Sequence, residues 1–288
     1  MQIQQLQTFS RKFTIAAIDQ RGSMAKILKV DPKTSEGKER MSAIKTSLME
    51  EFAPMCSAVL VDPDFGMRAL ERKLHNTGLL LSLEGFDYAD ANPQAMPLIK
   101  KNWGVEQIAL RGGAVKLYFQ FHPQEKYAKK KIALVQDIYK ESNKHNVPFL
   151  FEPILYRLPE ENEKEFSSKY MNLYEEMVRT FTLLCDVLKV EFPLAPLETF
   201  DEKTAHERCK KITELSTASW ILLSRGIGFE KYQKALTIAM QNGAKGFAVG
   251  RSVWKEVGEQ ETFEQQQTFI QTIARKRMEA LIQIVESV

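Results

Sequence analysis

Three short runs carry the side chains best suited to covalent chemistry: AVKLYF with Lys116, PFLFE with Glu152, and DVLKVEF with Lys189 and Glu191. Each ionisable group is flanked by Val, Leu or Phe, surroundings in which an unpaired ammonium is disfavoured by desolvation. Period-two alternation puts Val187, Lys189 and Glu191 on one face, and Ala114, Lys116 and Tyr118 on another. Two ammonium groups brought together lower each other's pKa, and burial acts in the same direction. One amine is then partly neutral near pH 7 and can attack a carbonyl to form a Schiff base. A carboxylate between them, Glu152, can carry the protons that carbinolamine loss and C–C cleavage require. Lys–Glu pairs also serve structure alone, and a lone strand lysine more often snorkels at an edge. The chemical reading rests on the trio.

Eight near-continuous apolar, β-branched or aromatic runs must position these residues: 13–19, 57–62, 79–84, 114–119, 148–152, 186–192, 220–224 and 246–250. Such runs are expected of parallel strands covered by helices. Segments with helical spacing separate them, among them 37–52, 124–143, 167–184, 202–215 and 229–242, the last followed by Gly243 as a stop. Eight alternating strands and helices predict an α/β protein, a (βα)8 TIM barrel. The alternative, an open doubly wound sheet, usually has a Gly-rich turn after its first strand, where this chain has Asp19-Gln20-Arg21-Gly22. No linker or low-complexity tract divides residues 1–288, so one domain is expected, with closing helices from about residue 263.

In a TIM barrel the active site forms at the C-terminal ends of the strands. Strands one, two and three end there in Asp19, Asp62 and Glu84, and the other runs add Lys116, Glu152, Lys189 and Ser224, with Gly250-Arg251 after strand eight. Loops after strands seven and eight are the usual phosphate site of this fold. Backbone N–H groups of Gly226 and Gly250 can approach an anion closely, and Arg251 can grip it with two hydrogen bonds. Alternatively, Gly250 only turns the chain and Arg251 pairs with a surface carboxylate.

Composition limits the remaining classes. The 288 residues are 44% hydrophobic and 27% charged, and 40 Lys plus Arg against 37 Asp plus Glu leave only +3, too even for a nucleic-acid binder. No apolar stretch approaches a bilayer span and residues 1–12 lack a signal core, so no membrane association is expected. Cys56, Cys185 and Cys209 are far apart and odd in number, which argues for a reducing cytoplasm. Four histidines show no ligand spacing, so neither metal nor other cofactor is expected; His122 reads as a solvated loop residue. The run Lys129-Lys130-Lys131 reads as a solvated helix face, and Cys185 as a packing residue.

Taken together, DQRG at Asp19–Gly22, VDPDFG at Val61–Gly66, FEPILY around Glu152, DVLKVEFPL around Lys189, ILLSRGI at Ile221–Ile227 and GAKGFAVGRSVW at Gly243–Trp254 resemble the class I tagatose 1,6-bisphosphate aldolases, as does AVKLYF. That family also includes an aldolase acting on sulfofructose 1-phosphate. The resemblance implies Lys189 as Schiff-base lysine, Glu152 as proton shuttle and Lys116 as the second lysine that tunes the site. It implies that Asp19 and Gln20 bind substrate hydroxyls, with Asp62 counted among the substrate-binding residues. Ser224, Gly226, Gly250 and Arg251 would hold the C1 phosphate. Arg225 replaces the family's usual small residue and brings an extra cation to that loop. The implied reaction is cleavage of tagatose 1,6-bisphosphate to dihydroxyacetone phosphate and glyceraldehyde 3-phosphate; the sulfonated analogue would give sulfolactaldehyde instead. A metal-dependent enzyme on the same barrel and a non-catalytic sugar-phosphate sensor are the rival readings. The partner expected is a small-molecule sugar phosphate. Barrel aldolases often self-associate, so a homo-oligomer is allowed.

Overall fold

The computed structural model describes residues 2–85 and 92–288. Eight parallel strands close into a barrel in sequence order: β1 (Phe13–Ala17), β2 (Ala58–Val61), β3 (Gly78–Ser82), β4 (Ala114–Phe121), β5 (Phe149–Leu155), β6 (Val187–Val190), β7 (Ser219–Leu223) and β8 (Gly246–Val249). Closure is made by β1 against β8, with Phe13 opposite Gly246 and Ala16 opposite Val249. Gly246 has no substitute there, because a Cβ would stand 1.9 Å from the Phe13 carbonyl oxygen.

Ten helices accompany the strands among the described residues. They are α1 (Gly22–Leu28), α2 (Ser35–Phe52), α3 (Val105–Leu110), α4 (Ala128–Lys144), α5 (Glu163–Phe181), α6 (Glu202–Leu215), α7 (Phe229–Gln241), α8 (Arg251–Trp254), α9 (Phe263–Phe269) and α10 (Arg275–Glu286). Their starts follow local chemistry: Thr34, Asn162 and Asp201 cap α2, α5 and α6 by accepting backbone N–H groups of the first turn. Gly243, at φ +101°, turns the chain after α7 as its sequence position suggests. α9 and α10, joined by a π turn at Ile270–Ala274, lie along the closing segment, with α10 packed on α7, α2 and β1. None of the described helices is long and apolar enough to cross a membrane.

Alternation along the strands divides the core in two. Ile15, Leu60, Leu80, Leu150, Val187 and Ile221 fill the barrel interior with the small Ala58, Ala114 and Ala248. The opposite faces join the helices in one larger apolar layer. Below, a 3-10 turn at Ile3–Leu6 places the fully buried Leu6 in the interior cluster. This packed floor leaves the next residues of the same interior faces, Lys116, Glu152 and Lys189, at the open end. β1, β2, β3 and β6 stop before Asp19, Asp62, Glu84 and Glu191, so these carboxylates lie just beyond the sheet.

Candidate active site

The trio meets at the C-terminal mouth of the barrel. Lys189 Nζ donates to Glu152 Oε2 at 3.0 Å, and Lys116 Nζ lies 3.2 Å from the same oxygen. Lys116 also donates to Asp19 Oδ2 and Glu84 Oε1, each at 2.8 Å. Glu84 reaches further with Oε2, which accepts the Tyr118 N–H at 3.1 Å. Lys116 and Lys189 are 2% and 4% exposed, and Glu152 is 9% exposed. All three line a cavity of about 290 Å³ with Asp19, Gln20 and Tyr118.

This geometry changes the expected electrostatics of Lys116. Burial pulls its pKa down, but Asp19, Glu84 and Glu152 more than offset burial and raise it well above the ordinary lysine range. Lys116 is therefore a fixed cation, and mutual depression by two ammonium groups does not describe it. Asp19 shows the reciprocal effect. Burial favours its neutral form, yet Lys116 first and Lys189 next hold the carboxyl well below the usual range.

Gln20, Ser224, Gly250 and Arg251 line the same cavity. Gly226 lines a second cavity of about 440 Å³ that shares Ser23, Lys26, Arg225 and Arg251 with the first and adds Lys29 and Lys255. Gly226 has φ +78°, the left-handed region, and lies under the Arg251 side chain. At Gly250 a Cβ would come within 2.6 Å of both the Ala17 carbonyl and Gln20 Nε2, so this loop approaches the β1 end as only glycine permits.

Several expectations are corrected. Asp62 is fully buried outside the cavity, with Oδ2 on Lys45 at 2.6 Å and Oδ1 accepting the N–H groups of Asp64 and Phe65. With both oxygens engaged inside the protein, it is a structural carboxylate. Arg225 is the extra cation foreseen for the β7 loop, but it pairs with Glu191 at 2.6 Å. Glu191 thus leaves the Lys189 face and is absent from the cavity lining. His122 is fully buried: its Nδ1 accepts the Gln124 N–H and its Nε2 faces Glu161 at 3.6 Å. Lys131 is also buried, donating to Glu125, Gln120 O and Pro93 O, because the inner face of α4 closes over the ends of β4 and β5. Cys185 packs as read, and all three cysteines are free and buried. Among the described residues no group of three His, Cys, Asp or Glu side chains is placed to hold a metal ion.

The sequence places Glu84 at the site end of its strand without a role and Tyr118 only on the Lys116 face, and it gives no hint of Arg21. Glu84 and Tyr118 had a signal, since each lies two residues beyond an inward-facing residue of its strand. Arg21 donates to the Glu84 carbonyl at 2.8 Å and Ser82 Oγ at 3.0 Å, tying the β1 loop to β3.

Comparison with known proteins gives this cavity its context. Residues 13–256, from the first strand to just past α8, match the family model described as DeoC/LacD family aldolase. The chain belongs to the DeoC/LacD aldolase family. As a member it is a class I aldolase. This aldolase is 27% identical to tagatose 1,6-diphosphate aldolase 2 of Enterococcus faecalis over 300 residues, covering 93% of this chain and 88% of that one. An archaeal fructose 1,6-bisphosphate aldolase superposes with a TM-score of 0.67 at 17% identity, over 99% of this chain and 98% of the other. A Schiff-base-forming fructose-1,6-bisphosphate aldolase gives 0.63 at 18% identity, over 98% of each chain. At these identities the two structures establish the shared barrel.

Proposed function

We propose that this aldolase cleaves tagatose 1,6-bisphosphate to dihydroxyacetone phosphate and glyceraldehyde 3-phosphate through an imine on Lys189. The observation that carries the reading is the 3.0 Å contact between Lys189 Nζ and Glu152 Oε2, both lining the cavity. Lys189 passes a proton to Glu152 and attacks the C2 ketone of the open-chain sugar. Glu152 returns the proton to the carbinolamine oxygen, which leaves as water and gives the iminium. Glu152 then takes the C4 hydroxyl proton. The C3–C4 bond breaks, the aldehyde departs, and the electron pair is stored as an enamine. Protonation at C3 and hydrolysis of the imine release dihydroxyacetone phosphate and restore Lys189. Lys116, held cationic by its carboxylates, steadies the Glu152 anion between steps.

The second assignment is the anion sites. Ser224, Gly226, Gly250 and Arg251 would hold the C1 phosphate, placing C2 near Lys189, while Asp19 and Gln20 meet the sugar hydroxyls. The adjoining basic cavity, with Lys26, Lys29 and Lys255, suits a second anionic end. The buried free thiols support a reducing compartment such as the cytoplasm.

Borohydride trapping with tagatose 1,6-bisphosphate or 6-deoxy-6-sulfofructose 1-phosphate, read by mass spectrometry, tests the proposal. The expected result is a reduced adduct on Lys189 and faster turnover of the bisphosphate, unaffected by EDTA. Faster turnover of the sulfonate overturns the substrate. Binding without an adduct or cleavage makes the protein a sensor, and activity abolished by EDTA without an adduct overturns the imine.

A further inference from the structure

We propose that Lys45 is a positioning residue of this site, acting through the backbone carbonyls on either side of Asp19. The inference rests on the reading of the Lys116–Glu152–Lys189 cavity as the active site. Lys45 projects from α2 outside the barrel and is fully buried. Its ammonium donates to the Ile18 carbonyl, to the Gln20 carbonyl at 2.8 Å and to Asp62 Oδ2 at 2.6 Å. An ammonium has three N–H donors, so this set is complete.

An ion pair is a poor way merely to pack α2 against β1 and β2. Taking both charges from water costs several kcal/mol per ion, and apolar residues of similar volume often do as well or better. The same helix already buries Met41, Ile44, Leu48 and Phe52. Those side chains cannot bond carbonyl oxygens, and that is the task left for Lys45. Ile18 N–H makes the last sheet-like bond of the strand, to Leu60 O at 2.7 Å. The chain then swings into α1 through Arg21, whose φ −121° and ψ −88° belong to neither helix nor strand. Buried carbonyls in such a turn need donors.

One cation on the carbonyls of residues 18 and 20 pins the backbone on both sides of Asp19, whose carboxylate reaches Lys116 at 2.8 Å. Arg21, at the far end of the turn, holds the Glu84 carbonyl. The β1 and β3 carboxylates that enclose Lys116 are thus set by a single braced turn. Misplacement of a catalytic constellation by 1 Å can cost about 100-fold in rate, which gives such bracing a function.

The test is the variant Lys45→Met/Asp62→Asn, which removes both charges and keeps the Asp62 oxygen that accepts the loop N–H groups. A folded variant is expected to lose about 10- to 100-fold in kcat with KM within about threefold. Adding Asp19→Asn to it should cost less than about threefold more, far below its effect in the wild type, because Asp19 is already out of place. Ile44→Val is the packing control, expected to lower Tm and leave kcat unchanged. Wild-type kcat in the folded double variant, or an undiminished effect of Asp19→Asn, overturns the inference. If the double variant does not fold, Lys45→Gln/Asp62→Asn, which keeps a polar pair in place, is judged by the same two criteria. Failure of wild-type Lys189 to be trapped by borohydride sinks the proposed function; trapping in the wild type with unaltered variants sinks only the role of Lys45.

Discussion

Lys189 and Glu152 meet from neighbouring strands at 3.0 Å, and the Glu152 oxygen that accepts this bond also faces Lys116 at 3.2 Å. A single carboxylate oxygen placed between two lysine nitrogens is suited to move protons without leaving its place. In the proposed mechanism Lys116 stabilises the Glu152 anion, and Lys189, as the nucleophile, supplies and recovers the proton.

Glu152→Gln keeps the shape and the contact but cannot carry a proton. We expect kcat to fall by about 10²- to 10⁴-fold, the usual weight of general acid–base catalysis. Slow borohydride trapping of Lys189 should persist, since the amine itself remains. Steady-state assays beside single-turnover trapping check this, and a kcat within threefold of wild type would remove Glu152 from the mechanism.

Lys116 and Asp19 make stability depend on pH at opposite ends. Lys116 is raised above its ordinary value of about 10.4, so its contribution is complete below that pH and is lost as pH rises through the folded value. Asp19 is depressed, so its contribution is complete above about 3.9 and is lost as pH falls toward its folded value. Lys116→Met leaves Asp19, Glu84 and Glu152 without their shared cation and should cost about 3–5 kcal/mol at pH 7. The deficit should shrink at pH 5, where the stranded carboxyls take up protons. Urea unfolding of both proteins at the two pH values measures the difference, and an equal deficit at both would refute the enclosure.

The barrel was legible because eight near-continuous apolar runs, as buried parallel strands require, alternate with segments of helical spacing. The convergence of Lys116, Glu152 and Lys189 was legible because Lys116 and Lys189 interrupt apolar runs at inward positions. Asp62 misled because an acidic residue at a strand end looks the same whether its partner is a substrate or Lys45, and α2 gives no sign of which lysine turns inward. Lys131 hid within a run of three lysines, of which one lies on the buried side of α4. His122 is covered by Tyr156, Glu161 and Phe166, more than thirty residues on, which its own neighbours in sequence do not announce. Buried ion pairs between distant elements are set by tertiary geometry, so local pattern carries little trace of them.

Arg225 offers a separate check on the β7 loop. It stands at φ +48°, strained for a residue with a Cβ, and its guanidinium bonds the buried Glu191 at 2.6 Å. Burial raises the Glu191 pKa, and Arg225 is the chief influence holding it down. Arg225→Ala removes that restraint, so the pKa rises further and the folded state binds a proton that the unfolded state releases. Stability is then lost as pH rises through the interval between the unfolded and folded values. The variant should therefore melt further below wild type at pH 7.5 than at pH 5. Arg225→Gly loses the same ion pair but relaxes the left-handed backbone, worth about 1–2 kcal/mol, so it should melt about 2–3 °C above Arg225→Ala. Calorimetry of the two variants separates the two effects: equal melting points would deny the strain, and a deficit independent of pH would deny that Arg225 restrains Glu191.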